Sequence, residues 1–172
     1  SLTLDGVHVA LRGNVDLPDE VEAAKAHGAE GVGLLRTEFL ITGHSVLPSE
    51  DEQTVYYRRV GEAFPGDPVV IRTYDLGGDK FPAPFRGPVE ANPFLGWRAI
   101  RVSLELESVF PVQMRAILRS ASNAPLRIMF PLVTSVEEIR RIRELFAECV
   151  AALAASGARP PANVELGAMI EV

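Results

Sequence analysis

Five short apolar runs recur along the chain, with stretches of helical period between them. Val7–Leu11 (VHVAL), Gly31–Leu35 (GVGLL), Val69–Arg72 (VVIR), Leu126–Val133 (LRIMFPLV) and Val164–Val172 (VELGAMIEV) are predicted strands. Asp16-Leu17-Pro18 opens a helix with Asp19 and Glu20 in its first turn, Val21, Ala24 and Lys25 at helical spacing, and Gly28 as its stop. Ser49 caps a second helix running to Phe64, with Glu52 at the capping-box position, and Pro65-Gly66-Asp67-Pro68 breaks it. The run FPAPFRGP from Phe81 holds too many prolines for a helix or a central strand. Asn92-Pro93 predicts a helix start that places Arg98 in the second turn, and Pro111 divides this helix from a second piece containing Met114, Ile117 and Leu118. Thr134 or Ser135 caps the last helix, with Glu137 or Glu138 at the box position and a stripe of Ile139, Ile142, Phe146, Cys149 and Leu153. Gly157 stops it, and Pro160-Pro161 lead into the fifth strand.

Strands alternating with helices, and too continuously apolar to have a wet face, predict an α/β fold with a parallel sheet. A doubly wound sheet and a (β/α)8 TIM barrel are the two solutions. No G-x-G-x-x-G follows the first strand, and every polar cluster follows a strand's C-terminal end, which favours the barrel. A complete barrel needs about 250 residues and eight strands. Residues 1–172 are therefore expected to form a single, incomplete barrel domain of about the first five β/α units.

Composition narrows the function. A net charge of -6, with acids and bases interspersed, gives no global field for nucleic acid. An anionic substrate then needs a local cluster of arginines. The single cysteine, Cys149, excludes an intrachain disulfide and fits a reducing compartment. No apolar run approaches the roughly 20 residues of a membrane span, and no signal peptide is visible, so a cytoplasmic location is expected.

Three arginines fall where a barrel carries its chemistry. Arg36 ends the second strand, Arg72 ends the third, and Arg98 lies on the helix beyond the third-strand loop, while Glu171 sits near the end of the fifth strand. The guanidinium fork matches a phosphate or carboxylate with two parallel hydrogen bonds, and a nearby carboxylate can hold a divalent metal bridging the same ligand. From spacing alone, two readings stand side by side. In one, the arginines clamp a group that is at least dianionic. In the other, Arg36 pairs with Glu38 and Arg72 with Asp75 as rim salt bridges, and Arg98 is a helix-surface charge. Arg58, Arg59, Arg101, Arg115, Arg119, Arg140, Arg141 and Arg143 are expected on solvated helix faces. Asp79 and Lys80 fit a role within their own turn. Cys149 lies on an apolar stripe and is expected to be a core thiol, and His8, His27 and His44 lack metal-ligand spacing.

GAEGVGLLRTEFL (28–40), RTYDLGGDK (72–80), NPFLGWRAIR (92–101), LRIMFPLV (126–133) and GAMIEV (167–172) resemble the enzyme I family, the bacterial phosphoenolpyruvate–protein phosphotransferases. The resemblance covers essentially the whole chain, with five motifs in order. It implies the family's phosphoenolpyruvate-binding barrel domain. In that domain Arg36, Arg72 and Arg98 match arginines that hold the phosphoryl group, and Lys80 is a supporting cation. Glu171 matches one of two carboxylates that bind Mg2+, and the other metal ligands and the proton-donating cysteine are expected outside this chain. The resemblance further implies phosphoryl transfer to an enzyme histidine, a phosphocarrier protein docking on an N-terminal domain, sugar uptake, a homodimeric parent, and inactivity of this piece alone. Pyruvate phosphate dikinase or phosphoenolpyruvate synthase barrels, and enolate-handling lyases, are the alternatives.

Overall fold

The computed structural model describes residues 1–17, 19–42, 44–77, 81–85, 87, 91, 92, 96–106, 108–121 and 124–172. Among them the elements run β1 (Gly13–Val15), α1 (Glu20–Ala26), β2 (Val32–Leu35), α2 (Glu50–Ala63), β3 (Val69–Arg72), α3 (Ile100–Glu105), α4 (Phe110–Arg119), β4 (Leu126–Phe130), α5 (Val136–Ala155) and β5 (Glu165–Ala168). Short 3-10 turns follow β2 at Glu38–Leu40 and β3 at Ala83–Phe85.

The sheet is parallel throughout, and its five strands lie in sequence order β1-β2-β3-β4-β5. A doubly wound sheet reverses direction at a switch point, and this order has no reversal. Right-handed crossovers between sequential strands place their helices on one face. Burial follows that geometry. Val69, Ile71, Leu126, Ile128 and Phe130 are buried against Tyr57 and Val60 of α2, Met114 and Ile117 of α4, and Ile142 and Cys149 of α5. Burying one such aliphatic side chain contributes roughly 1.5–3 kcal/mol. The opposite face carries Val70, Arg72, Arg127 and Met129, which are only half-buried. The strands therefore alternate, where continuous apolar runs predicted burial on both faces. The sheet is open, and no strand joins β1 to β5 among the described residues.

Local signals placed the helices well. Ser49 and Ser135 each form a complete capping box, with Glu52 and Glu138 respectively. Gly28 and Gly157 stop α1 and α5 with positive φ. Pro111 sits in the first turn of α4, where its missing N–H costs nothing. Gly31 is required at the entry to β2: with φ +102° it brings the chain so close to Pro68 that a Cβ would run into the Pro68 carbonyl oxygen. That carbonyl accepts from Val32 N at 2.9 Å.

Three expectations are corrected. The first strand is Gly13–Val15, and Val7–Leu11 is an exposed segment with a single antiparallel bridge, Leu2 to His8. Alternation at Val7, Val9 and Leu11 imitates a strand, but pairing with β2 falls on the less strand-prone Gly-Asn-Val. β4 and β5 stop at Phe130 and Ala168, earlier than their apolar runs. Arg98 precedes α3, which begins at Ile100, and pairs through its backbone with Gly77. The proposed helix start at Pro93 lies outside the described residues.

A second, smaller core of Ile41, Tyr74, Leu76, Phe81, Val102 and Val109 packs together the segments that follow β2 and β3 and the α3 region. These segments carry the candidate chemistry.

Candidate anion-binding site

Parallel register sets the site. Leu35 of β2 lies opposite Ile71 of β3, so Arg36 and Arg72 leave adjacent strands side by side. Arg36 N still bonds to Val15 O at 3.0 Å and Thr73 N to Met129 O at 3.0 Å, which holds both strand ends in the sheet.

Each arginine is held by a carboxylate from the preceding strand's C-terminal segment. Arg36 Nη1 donates to both oxygens of Asp16, which follows β1, at 2.8 and 3.1 Å. Arg72 Nη2 donates to Glu38 Oε1, which follows β2, at 3.1 Å. Arg98 Nε donates to Asp75 Oδ1, which follows β3, at 2.8 Å, and Asp75 Oδ2 lies 3.2 Å from Arg72 Nη1. Glu38 Oε1 also accepts from Asp75 N at 2.8 Å, so the two loops share a carboxylate. With the Asn14 amide nitrogen turned toward Leu34 O at 3.3 Å, its oxygen accepts from Arg36 Nη2 at 3.1 Å.

The cluster has a sheltered part and an open part. The side chains of Arg72, Glu38, Asp75 and Arg98 are 12–18% exposed, whereas Arg36 is 41% and Asp16 47% exposed. Arg72 Nε is buried and has no hydrogen-bond partner among the described residues. A buried donor on a charged group is costly to leave unpaired.

Beneath the arginines lies a buried polar network. Gln113, from α4, donates through Nε2 to Thr37 Oγ1 at 3.1 Å and to Tyr57 OH at 3.2 Å, and accepts from Tyr74 N at 3.2 Å. Gln53 Oε1 accepts from Tyr74 OH at 2.9 Å and Tyr57 OH at 3.3 Å. Burial pushes the Tyr57 and Tyr74 phenols well up from their ordinary range, and Tyr56, whose OH donates to Asp16 O at 2.7 Å, is raised mainly by burial and then by the Asp16 and Glu20 charges.

The structure brings Arg72 and Arg98 together on Asp75, sets Arg36 beside Arg72 in register, and leaves Glu171 apart. Glu171 is exposed beyond β5, and its Oε1 accepts from Leu132 N at 2.9 Å. Lys80 and Asp79 lie outside the described residues. The simple rim pairing of Arg36 with Glu38 is not formed, since Asp16 takes Arg36 and Glu38 takes Arg72. Arg115 and Arg119, expected in solvent, converge instead on Glu50 at 2.8 Å each and tie α4 to α2. Sequence reasoning missed Asp16, Gln53 and Gln113 as members of the site and its support and gave Glu38 to the wrong arginine, whereas the Arg72–Asp75 pair it named is formed at 3.2 Å. A carboxylate one to three residues beyond each of the first three strand ends was the available signal. Cys149 is buried on α5, and burial raises its thiol, as befits a core residue. No group of three or more His, Cys, Asp or Glu side chains that could hold a metal occurs among the described residues. Among them, too, no helix is long and apolar enough to cross a membrane.

Residues 1–172 match the family described as PEP-utilising enzyme, PEP-binding domain. The chain is 46% identical over 172 residues to the phosphoenolpyruvate-protein phosphotransferase of Geobacillus stearothermophilus, covering 100% of this chain and 30% of that protein. It is 44% identical over 174 residues to the protein of the same name from Lactococcus lactis subsp. lactis (strain IL1403), and 42% over 172 residues to that of Bacillus subtilis (strain 168), again covering 100% of this chain and 30% of each relative. The chain thus spans about 30% of the length of the curated relatives it matches.

Proposed function

The chain belongs to the PEP-binding-domain family of PEP-utilising enzymes, and we propose that it binds phosphoenolpyruvate with Arg36, Arg72 and Arg98 around the phosphoryl group. The observation that carries this reading is the carboxylate-braced arrangement in which Asp75 joins Arg72 to Arg98 while Arg36 stands next to Arg72 on the adjacent strand. Bracing matters because phosphoryl transfer relies on positioning and electrostatic stabilisation of charge spread over the equatorial oxygens. Lys80 is a further cation for the same group.

The parent protein is a phosphotransferase in this reading. The bond between phosphorus and the enol oxygen of phosphoenolpyruvate breaks, a bond from phosphorus to an enzyme histidine nitrogen forms, and the enolate leaves to be protonated to pyruvate. The phosphoryl group then passes to a phosphocarrier protein docked on another domain, in the service of sugar uptake in the cytoplasm, by a homodimeric enzyme. The names of the matching relatives favour this over a dikinase, a synthase or a lyase. The sequential, singly wound sheet, with half-buried Val70 and Met129 on its second face, supports completion to a (β/α)8 barrel whose interior is that face.

Magnesium requires about six oxygen ligands, with one or two carboxylates and substrate phosphate among them. The described residues do not build such a site by themselves, and Glu171 is the one carboxylate proposed to contribute. Bound there, the ion would supply Lewis-acid stabilisation of negative charge on the substrate.

Titration calorimetry of phosphoenolpyruvate against the polypeptide carrying this domain tests the clamp. Arg72→Lys keeps the charge but loses the fork, and is expected to weaken binding by about 2 kcal/mol, one strong charge-assisted contact. Wild-type affinity in that variant rejects the clamp.

A further inference from the structure

Gln113 is fully buried on α4. A buried amide is stabilising only when its donors and acceptor are paired, and a partly satisfied one costs more than an apolar residue. Gln113 is paired, and the choice of partners is informative. Its Oε1 accepts from the backbone N–H of Tyr74 at 3.2 Å, and its Nε2 donates to Thr37 Oγ1 at 3.1 Å. Thr37 Oγ1 in turn donates to the Arg72 carbonyl at 2.9 Å. One side chain therefore grips both peptide groups that flank Thr73, one directly and one through Thr37. Thr37 directly follows Arg36, so the same amide also holds the chain that carries the neighbouring arginine.

We propose that Gln113 is a positioning residue for the anion site, using its amide and Thr37 Oγ1 to hold the β3 end that bears Arg72 against the β2 end that bears Arg36. This rests on the phosphoenolpyruvate-binding reading above. The sheet register alone leaves a strand end free to shift once its ladder stops at Arg72 and Thr73. The Gln113–Thr37 relay continues the connection past that point, from a helix that is itself locked in the core by Met114, Ile117 and Leu118. Arginine recognition of a phosphoryl group is geometric, so a displacement of the two forks relative to each other weakens binding out of proportion to the bond that was lost. Tyr57 OH accepts from the same Nε2 at 3.2 Å and donates on to Gln53 Oε1 at 3.3 Å, whereas the Tyr74 hydroxyl bonds Gln53 Oε1 at 2.9 Å without touching the Gln113 side chain.

The test uses the full polypeptide that carries this domain, with phosphoenolpyruvate affinity measured by calorimetry, KM and kcat measured for phosphoryl transfer, and thermal midpoints measured separately. Gln113→Met and Thr37→Val are each expected to weaken phosphoenolpyruvate binding about tenfold and to raise KM more than they lower kcat, and the double variant to lose no more than the worse single one, because both cut the same path. Thr37→Ser, which keeps the hydroxyl, is expected to recover most of the affinity lost in Thr37→Val. Tyr74→Phe, which removes the bond to Gln53 but keeps the backbone N–H that Gln113 receives, should lower the thermal midpoint while binding stays within about twofold of wild type. Thr37→Val preserves side-chain shape, so it decides the matter even if Gln113→Met fails to fold. A variant pair that melts earlier but binds as wild type does, or losses that simply add, overturns the positioning role alone. Absence of binding by the wild-type protein overturns the phosphoenolpyruvate reading and this role with it.

Discussion

Asp75 Oδ1 accepts from Arg98 Nε at 2.8 Å across 23 residues of chain. Two backbone contacts reinforce this ion pair, the bridge between Gly77 and Arg98 and the bond from Ala99 N to Leu76 O at 3.0 Å. Arg98 is thus strapped to the β3 loop and not carried by a helix. Asp75 serves Arg72 as well, at 3.2 Å. One carboxylate therefore separates two guanidinium groups that would otherwise repel.

Removing that charge is expected to destabilise the free protein and sensitise it to its ligand. Asp75→Asn keeps the shape but leaves two largely buried cations short of a counter-charge. Loss of a buried partner costs about 3–5 kcal/mol, and the residual exposure of these side chains brings the expectation to about 2 kcal/mol. A dianionic phosphoryl group replaces part of the missing charge. Phosphoenolpyruvate should then raise the variant's melting midpoint by more than it raises the wild type's, and equal shifts would contradict the shared-carboxylate account.

Ala99 has φ +51° and is buried, in a conformation that glycine adopts freely and alanine does not. Ala99→Gly relieves strain in the folded state and adds freedom to the unfolded one, so stability should rise by no more than about 1 kcal/mol. The strain sits next to Arg98. Denaturant unfolding of the variant checks the sign, and a loss above about 1 kcal/mol would show that the alanine methyl matters more than the backbone.

All three tyrosines of the chain, Tyr56, Tyr57 and Tyr74, are held above the ordinary phenol value of 10.0. Burial is the first cause for each. A folded-state value raised above the unfolded one contributes stability that is complete below pH 10 and is lost as pH rises toward the folded value. An ultraviolet titration of the chain should therefore show little phenolate at pH 10 to 11, then ionisation together with unfolding. Three phenols ionising near 10 in a folded chain would refute their burial.

Glu50 begins α2 and receives Arg115 and Arg119 from α4, with its side chain 23% exposed. Glu50→Gln is expected to cost about 1–2 kcal/mol, since it removes the charge from two charge-assisted bonds that join helices. Arg140→Ala, which breaks an exposed pair with Glu137 within α5, should change stability by less than about 0.5 kcal/mol. Paired chemical-denaturation curves compare the two, and similar losses would remove Glu50's special place.

Legibility followed distance along the chain. The Ser49 and Ser135 capping boxes close over three residues, and both were readable as short motifs. The Gly28 and Gly157 stops and the Pro111 break were equally local. The Arg72–Asp75 pair, three residues apart, was readable from spacing and is formed, but the other partners are remote: Asp16 lies 20 residues from Arg36, and Glu38 lies 34 from Arg72. The ion pairs of the salt-bridge reading are present in rearranged form, since Arg36, Arg72 and Arg98 each meet a carboxylate.

By itself the sequence determined the alternation of strand and helix, the placement of α2, α4 and α5, the positions of Arg36 and Arg72 at strand ends, and the motifs that mark the family. Those follow from apolar periodicity, caps and breakers, which act within one or two turns of chain. Tertiary structure alone decided that β1 begins at Gly13, that Arg98 is held in a bridge, and that Asp16, Glu38 and Asp75 each take an arginine. It also decided that Gln113 lies beneath the site. The reason is register. Parallel strands bring residues from distant segments level with one another, and only the pairing of Leu35 with Ile71 states which charges will meet.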